Sequence, residues 1–203
     1  MAVSKMKTVA DILQLYELGH RDFGENYVQE LLLKQPSLPA DVRWHFIGHL
    51  QSNKVKQVAP FIHLIHSVDS VKLIREIHKE GAKLNKVIDC LLQIHIAKEE
   101  TKFGLDSREL DLVLKETINL VGNNGKPYVR ITGLMGMASF SDDQQLLQKE
   151  FRSLKQLYDQ HSINRSEGIA FRYLSMGMSN DYALAVTEGS NMVRVGSLLF
   201  GMR

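Results

Sequence analysis

Lys5 lies in AVSK, a short apolar run that ends on an amine. At the carboxyl end of a strand, neighbouring cations and partial desolvation lower a lysine pKa from about 10.4 toward neutrality, which makes the amine nucleophilic toward a carbonyl. The chemistry on offer is a Schiff base; the plain alternative is a surface lysine. Farther along, SMGMSNDYALAVTEGSNMVRVGS holds two turns of glycine and serine, Gly177 with Ser179 and Gly196 with Ser197, each following an apolar run. Backbone amides offered from two sides suit a phosphate monoester. Taken singly, Ser179 reads as a helix N-cap and Gly196 as a tight turn. Arg194 sits inside apolar MVRVG, where an unpaired guanidinium is costly to bury, so it is expected to face a polar partner. A carboxylate is the ordinary choice.

The histidines invite a metal reading, which their spacing along single strands does not support. His45 and His49 share a face of WHFIGH, but four residues of strand separate them by roughly 13 Å. His63 and His66 differ by an odd number and point to opposite faces. No metal site is expected. Cys90, the single cysteine, lies in apolar VIDCLLQIHI and reads as a buried thiol. The pairs Met135/Met137 and Met176/Met178 read as barrel filling.

These groups must be positioned by a repeating unit. Strand-like runs occur at residues 2–6, 22–26, 44–48, 62–68, 87–96, 129–138, 168–178 and 192–200, and helical stretches separate them. The expected helices cover 8–18, 27–34, 52–59, 70–80, 107–120, 141–161 and 180–188, with Gly19, Gly81 and Gly189 as stops. Leu146, Leu147, Phe151, Leu154 and Leu157 fall at helical spacing along one stripe. Eight strands alternating with helices argue an α/β fold with a parallel sheet, and a single (β/α)8 TIM barrel closes it naturally. An open doubly wound sheet is the alternative. In such a barrel the carboxyl ends of the strands carry the chemistry, and the loops after strands seven and eight take phosphate. That rule gathers Lys5, Asn26, Gly48, His49, His95, Met135, Met137, the run from Ser175 to Ser179, and the run from Arg194 to Ser197 on one face.

The 203 residues, 44% hydrophobic and 24% charged, suffice for one domain with a real core. The net charge of +2 is scattered, so no basic stripe for nucleic acid is expected. No apolar run nears the roughly 20 residues of a membrane helix, and the opening lacks signal-peptide character. A cytoplasmic protein is expected.

AVSKMK, FGENYVQE, WHFIGHLQSNK, QIHIAKEETKFGL, GLMGMA, LSMGMSNDYALAV and GSNMVRVGSLLFG together resemble the YggS/PROSC family of pyridoxal 5'-phosphate (PLP) homeostasis proteins. That family's barrel is similar to the amino-terminal domain of alanine racemase. The resemblance spans essentially the whole chain, and WHFIGHLQSNK and the LSMGMS to VRVG combination are its most specific parts. It implies PLP as cofactor, Lys5 as the linked lysine, Arg194 at the pyridine nitrogen and Asn26 beside the ring. Ser175, Ser179, Gly196 and Ser197, with Met176 and Gly177 between the first two, fall where the family holds the phosphate. Two segments usual in the family are expected to be absent, the helix before the first strand and the last barrel helix. Asn191 stands where the family more often has threonine, and MASF differs from the usual ending after GLMG.

An arginine against the ring nitrogen disfavours the pyridinium and weakens the ring as an electron sink, so carbanion chemistry is poorly supported. Alanine racemase draws a tyrosine from a second domain, for which this sequence has no counterpart. The expectation is a monomeric PLP carrier or regulator, holding the aldehyde as an internal aldimine and exchanging it with amino acids or apo-enzymes. The alternatives are a single-domain PLP enzyme such as an amino-acid racemase, and an unrelated barrel enzyme acting on a phosphorylated metabolite.

Overall fold

The computed structural model describes residues 1–97, 103–163 and 166–201. Seven parallel strands form one sheet in sequential order: β1 (Ala2–Val3), β2 (Asp22–Glu25), β3 (Arg43–Phe46), β4 (Ile62–Val68), β5 (Ile88–Ile94), β6 (Val129–Gly136) and β7 (Ile169–Ser175). The eighth stave is shorter than the sequence suggests. Residues 192–195 close the ring through parallel bridges from Met192 to Ser175 and from Val195 to Ala2. Val3 N donates to Val195 O at 2.8 Å, and Val195 N donates to Met1 O at 3.1 Å. Past Gly196 the run expected as strand turns into a helix, α8 (Ser197–Phe200). A short apolar run such as SLLF has no periodicity long enough to separate the two states.

The helices between the strands are α1 (Val9–Glu17), α2 (Val28–Lys34), α3 (Val55–Val58), α4 (Val71–Leu84), α5 (Ser107–Asn119), α6 (Gln144–Ser162) and α7 (Tyr182–Thr187). Thr8 opens α1 with a capping box, accepting from Asp11 N and donating its own backbone N–H to the Asp11 carboxylate. Gly81 is not a stop. The helix runs three residues beyond it and ends at Asn85 in the left-handed conformation, with φ of 49°. Gly81 is demanded by packing instead, because a Cβ there would stand 2.5 Å from the Tyr128 carbonyl oxygen.

The core has two parts. A large outer layer between sheet and helices includes Phe23, Phe46, Ile74, Ile77, Cys90 and Phe151, with Leu147 and Leu154 of the α6 stripe. Inside the barrel, Leu64, Leu91 and Met135 pack with Met137, Tyr173 and Met192. The Met135/Met137 pair therefore fills the barrel as expected. The Met176/Met178 pair does not: Met176 belongs to the outer core and Met178 is exposed, because the chain leaves β7 at Ser175.

The sheet is pinched between β6 and β7, where the register shifts after Ile131. Gly133 adopts φ of 152°, and a Cβ there would stand 1.8 Å from the Tyr173 carbonyl oxygen. Gly133→Ala is expected to destabilise the fold by on the order of 3 kcal/mol, through strain and a backbone clash. Urea unfolding at neutral pH reads the change.

Candidate functional site

Lys5 stands two residues past the end of β1, not inside a strand. The extended run expected over 2–6 is cut short because Met6 adopts the left-handed conformation, with φ of 61°. Both neighbours of Lys5 are tied down. Ser4 N continues the ladder to Gly24 O at 3.0 Å, while the Ser4 hydroxyl donates to Glu25 Oε1 at 2.6 Å. The Lys34 ammonium, reaching up from α2, donates to Ser4 O at 2.8 Å, Glu25 Oε1 at 2.8 Å and Glu30 Oε1 at 2.6 Å. Met6 N donates to that same Glu30 oxygen. Burial pushes the Glu25 carboxyl up, and the hydrogen bonds from Lys34 and Ser4 oppose it. Among the described residues, nothing hydrogen-bonds or ion-pairs with the Lys5 amine.

Arg194 comes from the closing stave, hydrogen-bonded beside β1. Its side chain is 4% exposed. Nη1 donates to Ser175 O at 2.9 Å and Ser175 Oγ at 2.8 Å, and Nη2 donates to Gly136 O at 2.9 Å. The carboxylate partner of the ordinary reading is absent among the described residues. Burial pushes the guanidinium down to about 10, with Asp181 opposing, so it stays cationic at neutral pH. A five-donor fork held by neutral acceptors leaves donors for something else.

The two glycine turns do converge. Gly196 N donates to Ser179 Oγ at 3.2 Å, so Ser179 links the turns instead of capping α7. Gly177 adopts φ of 94°, and its carbonyl accepts from Arg194 N at 2.9 Å. Ser197 is exposed at the start of α8. Ser175 and Met176 lie elsewhere: Ser175 is fully buried and committed to Arg194, and Met176 points into the outer core. Asn191 replaces a hydroxyl contact by a bidentate clasp on the β7 edge, Oδ1 accepting from Leu174 N and Nδ2 donating to Arg172 O.

Asn26 follows β2, and Gly48 packs so tightly on its backbone that a Cβ would meet Asn26 O at 2.1 Å. Three buried oxygens near this end of the sheet, Glu25 Oε2, Asn26 Oδ1 and Ser67 Oγ, have no hydrogen-bond partner. A cavity of about 150 Å3 lined by Asn26, Phe46, His49, Gln51 and Lys54 opens on this face, and one of about 470 Å3 lies between the loops after β3 and β4. Residues 98–102 of the QIHIAKEETKFGL stretch lie outside the described residues.

Sequence reasoning missed the polar groups that cross between strands. His45 on β3 and His66 on β4 meet inside the barrel, His45 Nδ1 to His66 Nε2 at 2.9 Å. His45 Nε2 reaches Asp22 Oδ1 at 3.0 Å, and His66 Nδ1 lies 3.5 Å from Ser175 Oγ. Asp22, His45 and His63, from three adjacent strands, bring one potential ligand atom each within 4.8 Å of one another. Spacing within one strand could not reveal such a group. Arg43 binds the Asp22 carboxylate with Nε and Nη2, and His45 has both ring nitrogens engaged, so two of the three groups are spent on the protein.

The fold and the site define a barrel of the alanine racemase amino-terminal kind, with a free lysine after its first strand and a buried arginine on its last stave. The alanine racemase N-terminal domain model matches residues 1–203. The chain is 38% identical over 204 residues to a pyridoxal phosphate homeostasis protein of Aquifex aeolicus (strain VF5), covering 100% of this chain and 86% of that one. PipY of Synechococcus elongatus PCC7942, solved with PLP bound, superposes with a TM-score of 0.86 at 35% identity, covering 99% of this chain and 91% of that one. Alanine racemase of Bartonella henselae shares the fold, with a TM-score of 0.71 at 21% identity over 99% of this chain and 53% of its own. The chain belongs to the YggS/PROSC family, the pyridoxal phosphate homeostasis proteins.

Two outcomes test the electrostatics. Lys34→Met strands the buried Glu25 carboxylate and is expected to cost about 3–5 kcal/mol in chemical denaturation, while Glu25→Leu added to it recovers part of the loss. Asp22 behaves differently. Burial would raise its carboxyl, but the hydrogen bonds from His45 and Arg43 outweigh that and hold it well below the usual range. A depressed folded pKa contributes stability above the unfolded value, about 3.9, which is lost as pH falls through the folded one. Asp22→Asn is therefore expected to destabilise at pH 7, with the gap to wild type narrowing below about pH 4.

Proposed function

We propose that this chain is a PLP carrier or regulator of the cytoplasm, holding the cofactor as an internal aldimine on Lys5. The observation that carries this is a buried guanidinium, Arg194, with no carboxylate partner among the described residues, on the stave beside the one that presents an amine uncommitted among them. The residues fit a flat aldehyde with a phosphate tail. Arg194 supplies donors to a neutral ring nitrogen, and Asn26 Oδ1 is a buried acceptor awaiting a partner. Ser179, Gly196 and Ser197 offer the hydroxyls and amides that suit a phosphate.

Binding forms a carbon–nitrogen double bond between Lys5 Nζ and the aldehyde carbon and releases water; exchange with another amine returns the Lys5 amine. PLP supplies a reactive aldehyde and an electron-accepting ring. Arg194 restrains the second property, because a guanidinium donor cannot leave a proton on the ring nitrogen at neutral pH. The reading is therefore custody of the aldehyde without turnover, for amino acids or apo-enzymes as recipients, by a monomer.

Purified protein given PLP is expected to show visible absorbance that borohydride fixes onto Lys5, read by peptide mass, and that Lys5→Ala abolishes. A protein that stays colourless with added PLP, or carries the adduct on another side chain, defeats the assignment. Solvent deuterium entering the α-carbon of an amino acid, lost in Lys5→Ala, would instead favour a racemase.

A further inference from the structure

The interior of the barrel carries a line of polar side chains from floor to mouth, Asp22, His45, His66, Ser175 and Arg194, of which the preceding reading uses only Arg194. We propose that His66 is a positioning residue for the cofactor ring, aiming Arg194 through Ser175 at the inner end of a hydrogen-bond chain in which every proton points away from the site. This inference rests on PLP being the ligand of the mouth.

The direction follows from proton counting. The Asp22 carboxylate can only accept, so His45 donates its Nε2–H at 3.0 Å. Burial holds His45 neutral against the pull of Asp22, leaving it one proton, so Nδ1 is an acceptor. His66 must then donate Nε2–H to it at 2.9 Å. Burial, with His45 and Arg194 nearby, keeps His66 neutral too, and its Nδ1 is left as a lone pair facing Ser175 Oγ at 3.5 Å. The Ser175 hydroxyl turns its hydrogen toward His66. Its lone pairs then face Arg194 Nη1 at 2.8 Å.

The consequence is a fixed guanidinium. A hydroxyl free to rotate could point its hydrogen at Nη1 and repel it; a hydroxyl oriented by His66 can only accept. With Ser175 O and Gly136 O taking two further donors, Arg194 retains Nε–H and one Nη2–H uncommitted among the described residues. Those are the donors left for a ring nitrogen. His45 and Asp22 act through His66, by deciding which of its nitrogens carries the proton.

Two measurements test this. In cofactor-free protein, nitrogen-15 spectra of the histidine rings should show His45 and His66 both neutral with the proton on Nε2; a proton on Nδ1 of His66 overturns the proposal whether or not PLP binds. In PLP-loaded protein, His66→Phe should shift the visible absorbance maximum and weaken PLP binding about three- to tenfold, the equivalent of one hydrogen bond. Ser175→Ala should give the same shift, and the double variant no more than either. His66→Gln, which keeps one donor and one acceptor, should restore the wild-type spectrum. A wild-type spectrum and affinity in His66→Phe would overturn the role. Borohydride trapping on Lys5 is scored separately, so failure of the PLP reading is distinct from failure of the chain.

Discussion

A cation buried inside the barrel with no ion-pair partner among the described residues is the constraint around which the mouth is arranged. Desolvating a guanidinium costs several kcal/mol unless its donors are met, and here they are met by the ends of two strands and one hydroxyl. That choice explains the local architecture. The carbonyls of Gly136 and Ser175 point inward where β6 and β7 stop, and the Ser175 side chain follows them in. A carboxylate would have neutralised Arg194 and taken two of its donors in a bidentate pair. Neutral acceptors leave it charged and incompletely occupied, which is the condition a ligand can exploit.

The lysine side of the mouth is organised by the opposite device, a surplus of ionic contacts. Lys34 satisfies a carbonyl and two carboxylates from behind the turn that carries Lys5. None of those contacts touches the Lys5 amine itself. The turn is tied down while the Lys5 amine stays free among the described residues, so the backbone strain of Met6 is held by neighbours and not by that amine. Alignment of the two sides then depends on the few hydrogen bonds between residues 1–3 and 195.

Much of this was legible in the residues. The alternation of apolar runs and helical stretches carries the barrel, and Lys5, Arg194 and the pairing of Ser179 with Gly196 follow from the rule that loops at the carboxyl ends do the chemistry. What escaped has two causes. Gly81 looked like a helix stop because glycine is ambiguous between φ freedom and close approach, and only the distance to Tyr128 decides. Ser175 reads with the phosphate residues through the family resemblance and its place two residues before Gly177, yet strand alternation turns it inward onto Arg194. The histidine pair was invisible for a further reason. Single-strand spacing tests one strand at a time, whereas β3 and β4 place His45 and His66 together through register. Charged Glu25 in a strand of four residues was the available signal for the Lys34 contact, since a buried acid needs a partner.

Lys5 and Arg194 stand 189 positions apart along the sequence (194 minus 5). The stave of residues 192–195 that carries Arg194 closes the ring against residues 1–3, so the mouth has only one wall until that seam forms. Contacts so distant in sequence carry a large loop-closure cost, so both walls exist together only in the closed barrel. A fragment ending before Met192 would keep the Lys5 amine and lack the guanidinium that stands opposite it.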